Sequence, residues 1–222
     1  MMKTFNELFK EHTGESILKW SNYGDIYDKH FAKFRDQPIN ILEIGVLRGG
    51  SMRIWEKYFP KANIFGIDID EGCLQYQSDR TKIFIGDQSD VSFLRNIKAK
   101  IPRIDILIDD GSHRAKDQKI TFDEMYYHVS KPGIYLIEDI ELNYWPSKDK
   151  DKPDNFMTYM KSKIDELNVR RTMSRKVSES YPFKDTQVRF NNSTNSISFY
   201  ENMVVLEKQE MPKAKEIKRW NK

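Results

Sequence analysis

Cysteine is almost absent from this sequence, because Cys73 is the single one among 222 residues. One thiol excludes an internal disulfide framework and favours a reducing compartment, so we expect a cytoplasmic protein. Long apolar runs are also missing, and none approaches the ~18 residues of a membrane span. The amino terminus carries Lys3, Glu7 and Lys10 and lacks the apolar centre of a signal peptide. We therefore predict no membrane span.

The sequence also lacks a large excess of charge of one sign: it has 37 Lys and Arg residues and 34 Asp and Glu residues, which gives a net charge of +3. A balance this even argues against nucleic acid as a partner. Basic residues are dense in the tail 207–222, which we interpret as a solvated segment. The sequence leaves open whether copies of the chain associate into a homo-oligomer.

Short apolar runs do recur between residues 39 and 139, and helix-length amphipathic segments separate them. Near-continuous apolar strands alternating with helices indicate a parallel sheet that is covered on both faces. The predicted strands are 39–44, 63–68, 82–87, 104–109 and 133–138. The predicted helices are 51–58, 71–78, 90–99 and 116–129, with Pro132 and Gly133 ending the last one. This series predicts a doubly wound α/β domain whose ligands bind beyond the carboxyl ends of the strands.

The flanking segments are less regular. Residues 1–38 predict a helical cover segment, 39–206 the α/β domain and 207–222 a charged tail. A charged loop is expected at 141–153, followed by a helix at 154–167. Two late strands, at 187–190 and 196–206, are expected to flank a polar turn at 191–195, which brings the mostly parallel sheet to seven strands.

Ligand-type residues follow the first three predicted strands. Glu43-x-Gly45-x-x-x-Gly49-Gly50 lies at the first strand-to-helix turn, where glycines let a ligand approach the backbone. The pattern departs from G-x-G-x-x-G, which weakens a dinucleotide interpretation. Asp68 ends the second strand, where an acid can bind ribose hydroxyls, and Asp87-Gln88 could contact an adenine edge. An ordinary acidic turn explains each feature alone, but the three together predict a nucleoside cofactor.

Acids and a histidine follow the fourth and fifth predicted strands. Asp109-Asp110-Gly111-Ser112-His113 comes after one, and Glu138-Asp139 comes after the other. Clustered carboxylates repel one another, and hard oxygen ligands of this kind suit Mg²⁺. His113 could act as a general base, because imidazole titrates near neutral pH. In the alternative interpretation Asp109 caps the next helix or bonds to the cofactor, and Asp110-Gly111 is only a turn.

Several motifs together resemble those of class I S-adenosylmethionine (SAM)-dependent methyltransferases. This class includes the metal-dependent sugar O-methyltransferases of macrolide biosynthesis, with the cephalosporin hydroxylase-like proteins as relatives. The resemblance rests on L-E-I-G-V-x-x-G-G-S at 42–51, G-I-D-I-D at 66–70, G-D-Q at 86–88, I-D-D-G-S-H at 108–113 and I-E-D at 137–139. It covers residues 18–140 well and the carboxyl-terminal third poorly.

The resemblance implies a Rossmann-like methyltransferase sheet and a role for each matched residue. It implies that His113 and Asp110 serve catalysis and that Mg²⁺ binds to Asp110, Glu138 and Asp139. The implied acceptor is a sugar hydroxyl on a glycan, a nucleotide sugar or a glycosylated natural product. Independently of the resemblance, Tyr144 and Trp145 follow the predicted metal ligands and could form a stacking face for a sugar ring, or could only pack their loop against the domain. The macrolide enzymes have an additional amino-terminal domain, so their acceptor specificity is not carried over. The residues implied to surround SAM are Glu43, Gly45, Ser51, Asp68, Ile69, Asp87, Gln88 and Asp109.

Three other functions stay open on the sequence. A catechol or phenol O-methyltransferase needs the same metal and similar geometry. A non-methylating, hydroxylase-associated relative could bind SAM or metal within a complex. A nicotinamide-dependent oxidoreductase could use the same sheet, although the missing G-x-G-x-x-G motif counts against it.

Overall fold

A seven-stranded sheet forms the centre of the protein, in the order β3-β2-β1-β4-β5-β7-β6. The computed structural model describes residues 2–145, 155–172, 185–212 and 217–219. Strands β1 to β5 are parallel, and β7 is antiparallel to both β5 and β6. The predicted fold class is therefore confirmed. The strands are β1 (Asn40–Ile44), β2 (Asn63–Asp68), β3 (Thr81–Ile85), β4 (Ile104–Asp109), β5 (Val129–Glu138), β6 (Thr194–Tyr200) and β7 (Met203–Lys208).

Helices cover both faces of the sheet, because the central strands bury side chains in both directions. All six residues of β4 are buried; Ile106 and Ile108 join one apolar cluster and Leu107 joins the other. One face is covered by α1 (Phe5–Lys10), α2 (Tyr23–Phe31) and α3 (Gly50–Tyr58). The other is covered by α4 (Val91–Lys100), α5 (Ala115–Met125), α6 (Phe156–Thr172) and α7 (Asp185–Asn191).

The amino-terminal helices pack on α3 through aromatic rings. Phe5 and Tyr27 lie with their ring centroids 4.6 Å apart, and Tyr27 and Trp55 lie 5.2 Å apart. The residues 11–22 that join α1 to α2, here the connecting segment, run past the first turn of α3. A Cβ on Gly50 would lie 2.5 Å from the carbonyl oxygen of Ser16. The connecting segment thereby reaches the carboxyl edge of the sheet.

Several predicted elements were wrong in kind or length. Residues 187–190 belong to α7 rather than to a strand, and the polar stretch 191–195 covers the end of α7 and the start of β6. The hairpin turn lies at Glu201 and Asn202 instead, where Asn202 adopts a left-handed conformation with φ 64°. The predicted helix 116–129 ends at Met125, a 3₁₀ turn follows, and β5 then runs through Pro132. The predicted helix 71–78 is a 3₁₀ helix, Glu71–Tyr76.

Parts of two predicted segments lie outside the described residues: most of the 141–153 loop, and Lys213, Lys215 and Lys222 of the tail. The domain boundaries at 38 and 206 stay predictions. In the part of the chain that the structure describes, no helix has the length and apolar character needed to cross a membrane.

Candidate active site

A cavity of about 530 Å³ lies at the carboxyl ends of the parallel strands. Five residues predicted to bind the cofactor line it, together with three from the predicted catalytic and metal-binding set. The structure thus brings residues from the ends of β1, β2, β3, β4 and β5 to one site. The eight are Gly45, Asp68, Ile69, Asp87, Gln88, Asp110, His113 and Asp139.

The turn after β1 is built for close approach between two backbones. Gly45 has φ 94°, and a Cβ there would lie 2.0 Å from the carbonyl oxygen of Asp110. Gly49 is the N-cap of α3 with φ 76°, in the left-handed region that favours glycine. The turn is therefore fitted to the loop after β4, and no other residue type would suit Gly45.

Asp68 lies at the cavity wall, but its carboxylate is directed at the turn after β1. Its Oδ2 accepts hydrogen bonds from the backbone N–H groups of Val46 at 2.8 Å and Leu47 at 2.9 Å, and Oδ1 accepts one from Asp70 N at 2.9 Å. Burial alone would raise the pKa of Asp68, yet these backbone hydrogen bonds outweigh it and hold the pKa below its usual range. Asp68 therefore shapes the turn as well as lining the cavity.

Glu43 and Ser51 do not line the cavity. Both are buried under the turn, where Ser51 Oγ donates to Glu43 Oε2 at 2.8 Å and Trp55 Nε1 donates to the same oxygen at 2.9 Å. Burial raises the pKa of Glu43 to about 7, and the nearby Lys19 ammonium opposes that rise. These two residues support the turn in this structure, and a direct contact between them and a cofactor remains a prediction.

Asp109 is likewise buried beneath the cavity surface. Its Oδ1 accepts a hydrogen bond from Gln88 Nε2 at 3.1 Å, and burial raises its pKa to about 7. Gln88 also binds the following loop, because its Oε1 accepts a hydrogen bond from Ser112 N at 2.6 Å. Asp109 and Gln88 therefore position the loop that carries Asp110 and His113.

Asp110, His113 and Asp139 converge at the wall of the cavity. One potential ligand atom from each lies within 4.8 Å of the others. His113 Nε2 is 4.0 Å from Asp110 Oδ1 and 3.8 Å from Asp139 Oδ2. His113 and Asp139 both adopt left-handed backbone conformations, with φ 58° and 52°. Non-glycine residues are strained there, and such strain is concentrated at functional sites.

Glu138 adjoins this group but is directed inward. Its Oε1 accepts a hydrogen bond from Tyr27 Oη at 2.5 Å, and its Oε2 accepts one from Lys19 Nζ at 2.9 Å. Lys19 also contacts Asp110 Oδ2 at 2.5 Å. Burial opposes the charged ammonium, but Asp110 and Glu138 outweigh it and hold the pKa of Lys19 well above its usual value. Burial and, after it, the neighbouring Asp110 raise the pKa of Glu138, and the Lys19 ammonium opposes that rise.

Sequence reasoning missed Lys19 and the contacts that Tyr23 and Tyr27 make with the acids. Both tyrosine rings are buried, and their hydroxyls reach the acids. Tyr23 Oη donates to Asp139 Oδ1 at 2.5 Å. The i, i+4 spacing on α2 was the available signal for the two tyrosines, whereas Lys19 lies in an irregular segment without one.

A groove of about 840 Å³ lies beyond the acids, and Trp20, Tyr144 and Phe199 are among its walls. Tyr144 ends a 3₁₀ helix, Ile140–Tyr144, that follows Asp139 directly, in place of the expected loop. A smaller cavity of about 250 Å³, whose walls include Lys19, Glu138 and Asp139, shares Trp20 and Glu141 with the groove. Trp145 is half-exposed and does not line the groove.

The sheet order and the position of the cavity define the class of the fold as a Rossmann-like methyltransferase fold. The methyltransferase MycE of the mycinamicin pathway, solved with Mg and SAH, superposes with a TM-score of 0.79 and 28% identity over 95% of this chain and 55% of that chain.

The chain is homologous to sugar O-methyltransferases of the macrolide and tetracenomycin pathways. It is 31% identical over 203 residues to the 8-demethyl-8-alpha-L-rhamnosyl tetracenomycin-C 2'-O-methyltransferase of Streptomyces olivaceus, covering 86% of this chain and 52% of that protein. It is 39% identical over 127 residues to the mycinamicin VI 2''-O-methyltransferase of Micromonospora griseorubida, covering 54% of this chain and 32% of that protein. The chain thus spans about half or less of the length of these relatives. No family model matches it.

Proposed function

We propose that this protein is a SAM-dependent O-methyltransferase that uses Mg²⁺ to methylate a sugar hydroxyl. The observation that carries the proposal is the position of Asp110, His113 and Asp139 on the wall of the same cavity as Gly45, Asp68 and Gln88. A proton acceptor and hard oxygen ligands therefore adjoin a cofactor-sized cavity, as methyl transfer to an oxygen requires.

The acid cluster fits a divalent cation. Asp110 Oδ1 and Asp139 Oδ2 face His113, and one potential ligand atom from each of the three residues lies within 4.8 Å of the others. Asp110 and Asp139 would hold Mg²⁺, with Glu138 as the third predicted ligand. When bound there, Mg²⁺ would act as a Lewis acid toward an acceptor hydroxyl and lower its pKa.

His113 would remove the proton of the acceptor hydroxyl as the methyl group passes from the SAM sulfonium to the oxygen, leaving SAH. Its Nε2 is directed at the acids and its ring is partly accessible from the cavity. Gln88 and the N–H of Ser112 would hold the loop so that the imidazole keeps this position. Gly45 and Leu18, at the cavity wall, would help to exclude water from the cofactor.

The groove walled by Trp20, Tyr144 and Phe199 would hold the remainder of the acceptor. Its apolar side chains favour a glycosylated natural product over a nucleotide sugar or a free glycan, because an aglycone can bury apolar surface there. The names of the relatives agree with this choice, since rhamnosyl tetracenomycin and olivosyl oleandolide are glycosides. Tyr144 lines the groove and stays a predicted sugar-stacking residue, whereas Trp145 does not line it, so the groove does not support a stacking role for Trp145.

The test is transfer of labelled methyl from SAM to a panel of rhamnosides, hexosides, nucleotide sugars and catechols, with and without a chelator. We expect chelator-sensitive transfer to a glycoside. His113→Ala should lower kcat by about 10²–10⁴-fold while SAM binding persists. His128→Ala, near the amino-terminal end of β5, is the matched control and should retain activity.

Other results would favour the alternatives. Transfer to catechols alone would indicate a catechol-type enzyme, and failure to consume SAM with any acceptor would indicate a non-methylating relative. NADH binding without SAM binding would support an oxidoreductase. Full activity in excess chelator would exclude the metal while leaving the SAM site in place.

The broader predictions have separate tests. Cys73 is a buried free thiol, which suits the predicted cytoplasmic location, and cell fractionation would check it. Light scattering would give the oligomeric state. Binding assays with RNA at several salt concentrations would test the predicted lack of a nucleic-acid partner.

A further inference from the structure

The ammonium group of Lys19 lies where the ends of β1, β4 and β5 meet. Its Nζ is 2.5 Å from Asp110 Oδ2, 2.9 Å from Glu138 Oε2 and 3.6 Å from Glu43 Oε1. The side chain is only 4% exposed. Carboxylate oxygens from the ends of three strands surround the Lys19 ammonium, as they would surround a bound metal ion.

Two of these carboxylates belong to the predicted magnesium ligands. Glu138 has both oxygens engaged, since Tyr27 Oη donates to Oε1 and Lys19 donates to Oε2. Asp110 gives one oxygen to Lys19 and turns the other toward His113. A metal that bound Asp110 through Oδ1 and Glu138 through Oε2 would therefore compete with Lys19 for Glu138 Oε2, because Tyr27 already holds Oε1.

We infer that Lys19 and Mg²⁺ compete for the acid cluster: the ammonium pairs with Asp110 and Glu138 in the metal-free protein and leaves them when the metal binds. The inference rests on the metal site of the proposed function. Its physical reason is that a divalent ion and an ammonium on the same oxygens would repel each other strongly in a buried setting. Lys19 thus sets the affinity for the metal and stabilises the cluster in its absence.

The connecting segment permits such an exchange. No residue from 11 to 22 is fully buried when backbone and side chain are counted together. Leu18 and Trp20, on either side of Lys19, are 84% and 58% exposed. The ion pairs of Lys19 tie this segment to the ends of the strands, and the pair between Arg53 Nε and Glu15 Oε1 at 3.0 Å ties it to α3. Release of Lys19 would consequently loosen residues 13–21.

The first test is calorimetric titration of the metal-free protein with MgCl₂ for wild type, Lys19→Met and Lys19→Arg. Lys19→Met should bind Mg²⁺ about tenfold more tightly, because the competing charge is gone. It should also have a lower Tm without metal and a larger rise in Tm on adding Mg²⁺. Lys19→Arg keeps the charge and should bind Mg²⁺ within about threefold of wild type.

Equal or weaker Mg²⁺ binding by Lys19→Met would overturn the competition and leave the proposed metal site standing. No Mg²⁺ binding by either protein would overturn the metal site and the competition together. Binding by Lys19→Met alone would support the competition in its strongest form.

A second measurement uses only the wild-type protein, so it does not depend on the folding of a variant. Backbone hydrogen exchange in residues 13–21 should become faster on adding Mg²⁺, because the segment loses the Lys19 ion pairs. Exchange within α4 (Val91–Lys100), none of whose residues lines the cavity, should be unchanged and serves as the internal control. Unchanged or slower exchange in residues 13–21 under saturating Mg²⁺ would contradict displacement of Lys19.

Discussion

Gln88 joins two strand ends through its side-chain amide: Oε1 accepts a hydrogen bond from Ser112 N at 2.6 Å, and Nε2 donates to Asp109 Oδ1 at 3.1 Å. Nε2 also donates to Thr121 Oγ1 at 3.1 Å. Gly111 leaves room for this arrangement, since a Cβ there would lie 2.0 Å from Gln88 Oε1. The loop after β4, which bears Asp110 and His113, is thus held by a residue from the turn after β3.

Gln88→Ala should therefore loosen that loop. Asp109 and Ser112 N would each lose a partner, so we expect the free energy of unfolding to fall by about 2–3 kcal/mol. Affinity for SAH should fall about tenfold, which calorimetry would measure. Gln75→Ala is the control, because its amide only bonds locally to Gly72 O, and it should change neither quantity. Unaltered SAH affinity in Gln88→Ala would contradict this account of the loop.

Gly45→Ala should damage the site through a clash as well as through strain. Its φ of 94° disfavours any side chain, and the added methyl would lie 2.0 Å from the carbonyl oxygen of Asp110. We expect a loss of at least ~3 kcal/mol in unfolding free energy, together with loss of SAH binding.

Gly14→Ala separates the two causes. Gly14 has φ 113°, but nothing lies within 4 Å of an added Cβ. This variant should lose only about 1 kcal/mol and keep SAH binding, as measured by urea unfolding and calorimetry. Equal losses in the two variants would show that backbone strain alone explains the glycine at position 45.

The parallel strands could be predicted because burial on both faces leaves a continuous apolar run, as in β4. Their carboxyl ends then placed Asp68, Gln88, Asp110 and Asp139 near one another without further information. Residues 187–190 misled because Gln-Val-Arg-Phe alternates polar and apolar residues as a strand does. In the structure Phe190 is buried against the ring of Tyr126, with the centroids 5.3 Å apart, and the stretch is helical.

Lys19 could not be predicted, because its partners Asp110 and Glu138 are 91 and 119 residues away and the segment around it has no periodicity. The direction of the Glu43 and Asp68 carboxylates was also beyond sequence reasoning. Glu43 lies near the end of β1 and Asp68 ends β2, yet Glu43 bonds to Ser51 and Trp55 under the turn and Asp68 bonds to backbone N–H groups. Such choices depend on tertiary packing rather than on local pattern.

Tyr23→Phe should weaken metal binding without removing a predicted ligand. The Tyr23 hydroxyl donates to Asp139 Oδ1 at 2.5 Å and fixes an acid whose backbone has φ 52°. Loss of a partner that orients a ligand lowers metal affinity about 10-fold or more, which a Mg²⁺ titration would detect.

Tyr58→Phe is the matched control, because Tyr58 Oη donates to Asp28 Oδ1 at 2.8 Å, away from the site. Both variants should lose about 1 kcal/mol of stability. Only Tyr23→Phe should lose Mg²⁺ affinity, and an equal effect of the two variants on Mg²⁺ binding would remove Tyr23 from the site.

Asp109→Asn should change how stability depends on pH. Burial raises the pKa of the folded-state carboxyl from 3.8 to about 7, so the folded protein holds this proton more tightly than the unfolded chain does. The protonated acid contributes fully to the free energy of unfolding below about pH 4, and this contribution is lost as the pH rises to about 7. Asparagine is uncharged throughout. The variant should therefore gain about 2–3 kcal/mol relative to wild type between pH 5 and pH 8.

Urea unfolding in chelator at the two pH values would measure this gain. Asp79→Asn replaces an exposed acid and is the control, with a difference from wild type that stays the same at both pH values. If the Asp109→Asn difference also stays constant, the buried carboxyl is already ionised at pH 5. Gln88 and the loop after β4 would then be stabilising a charge rather than a neutral acid, and the variant should lose stability equally at both pH values.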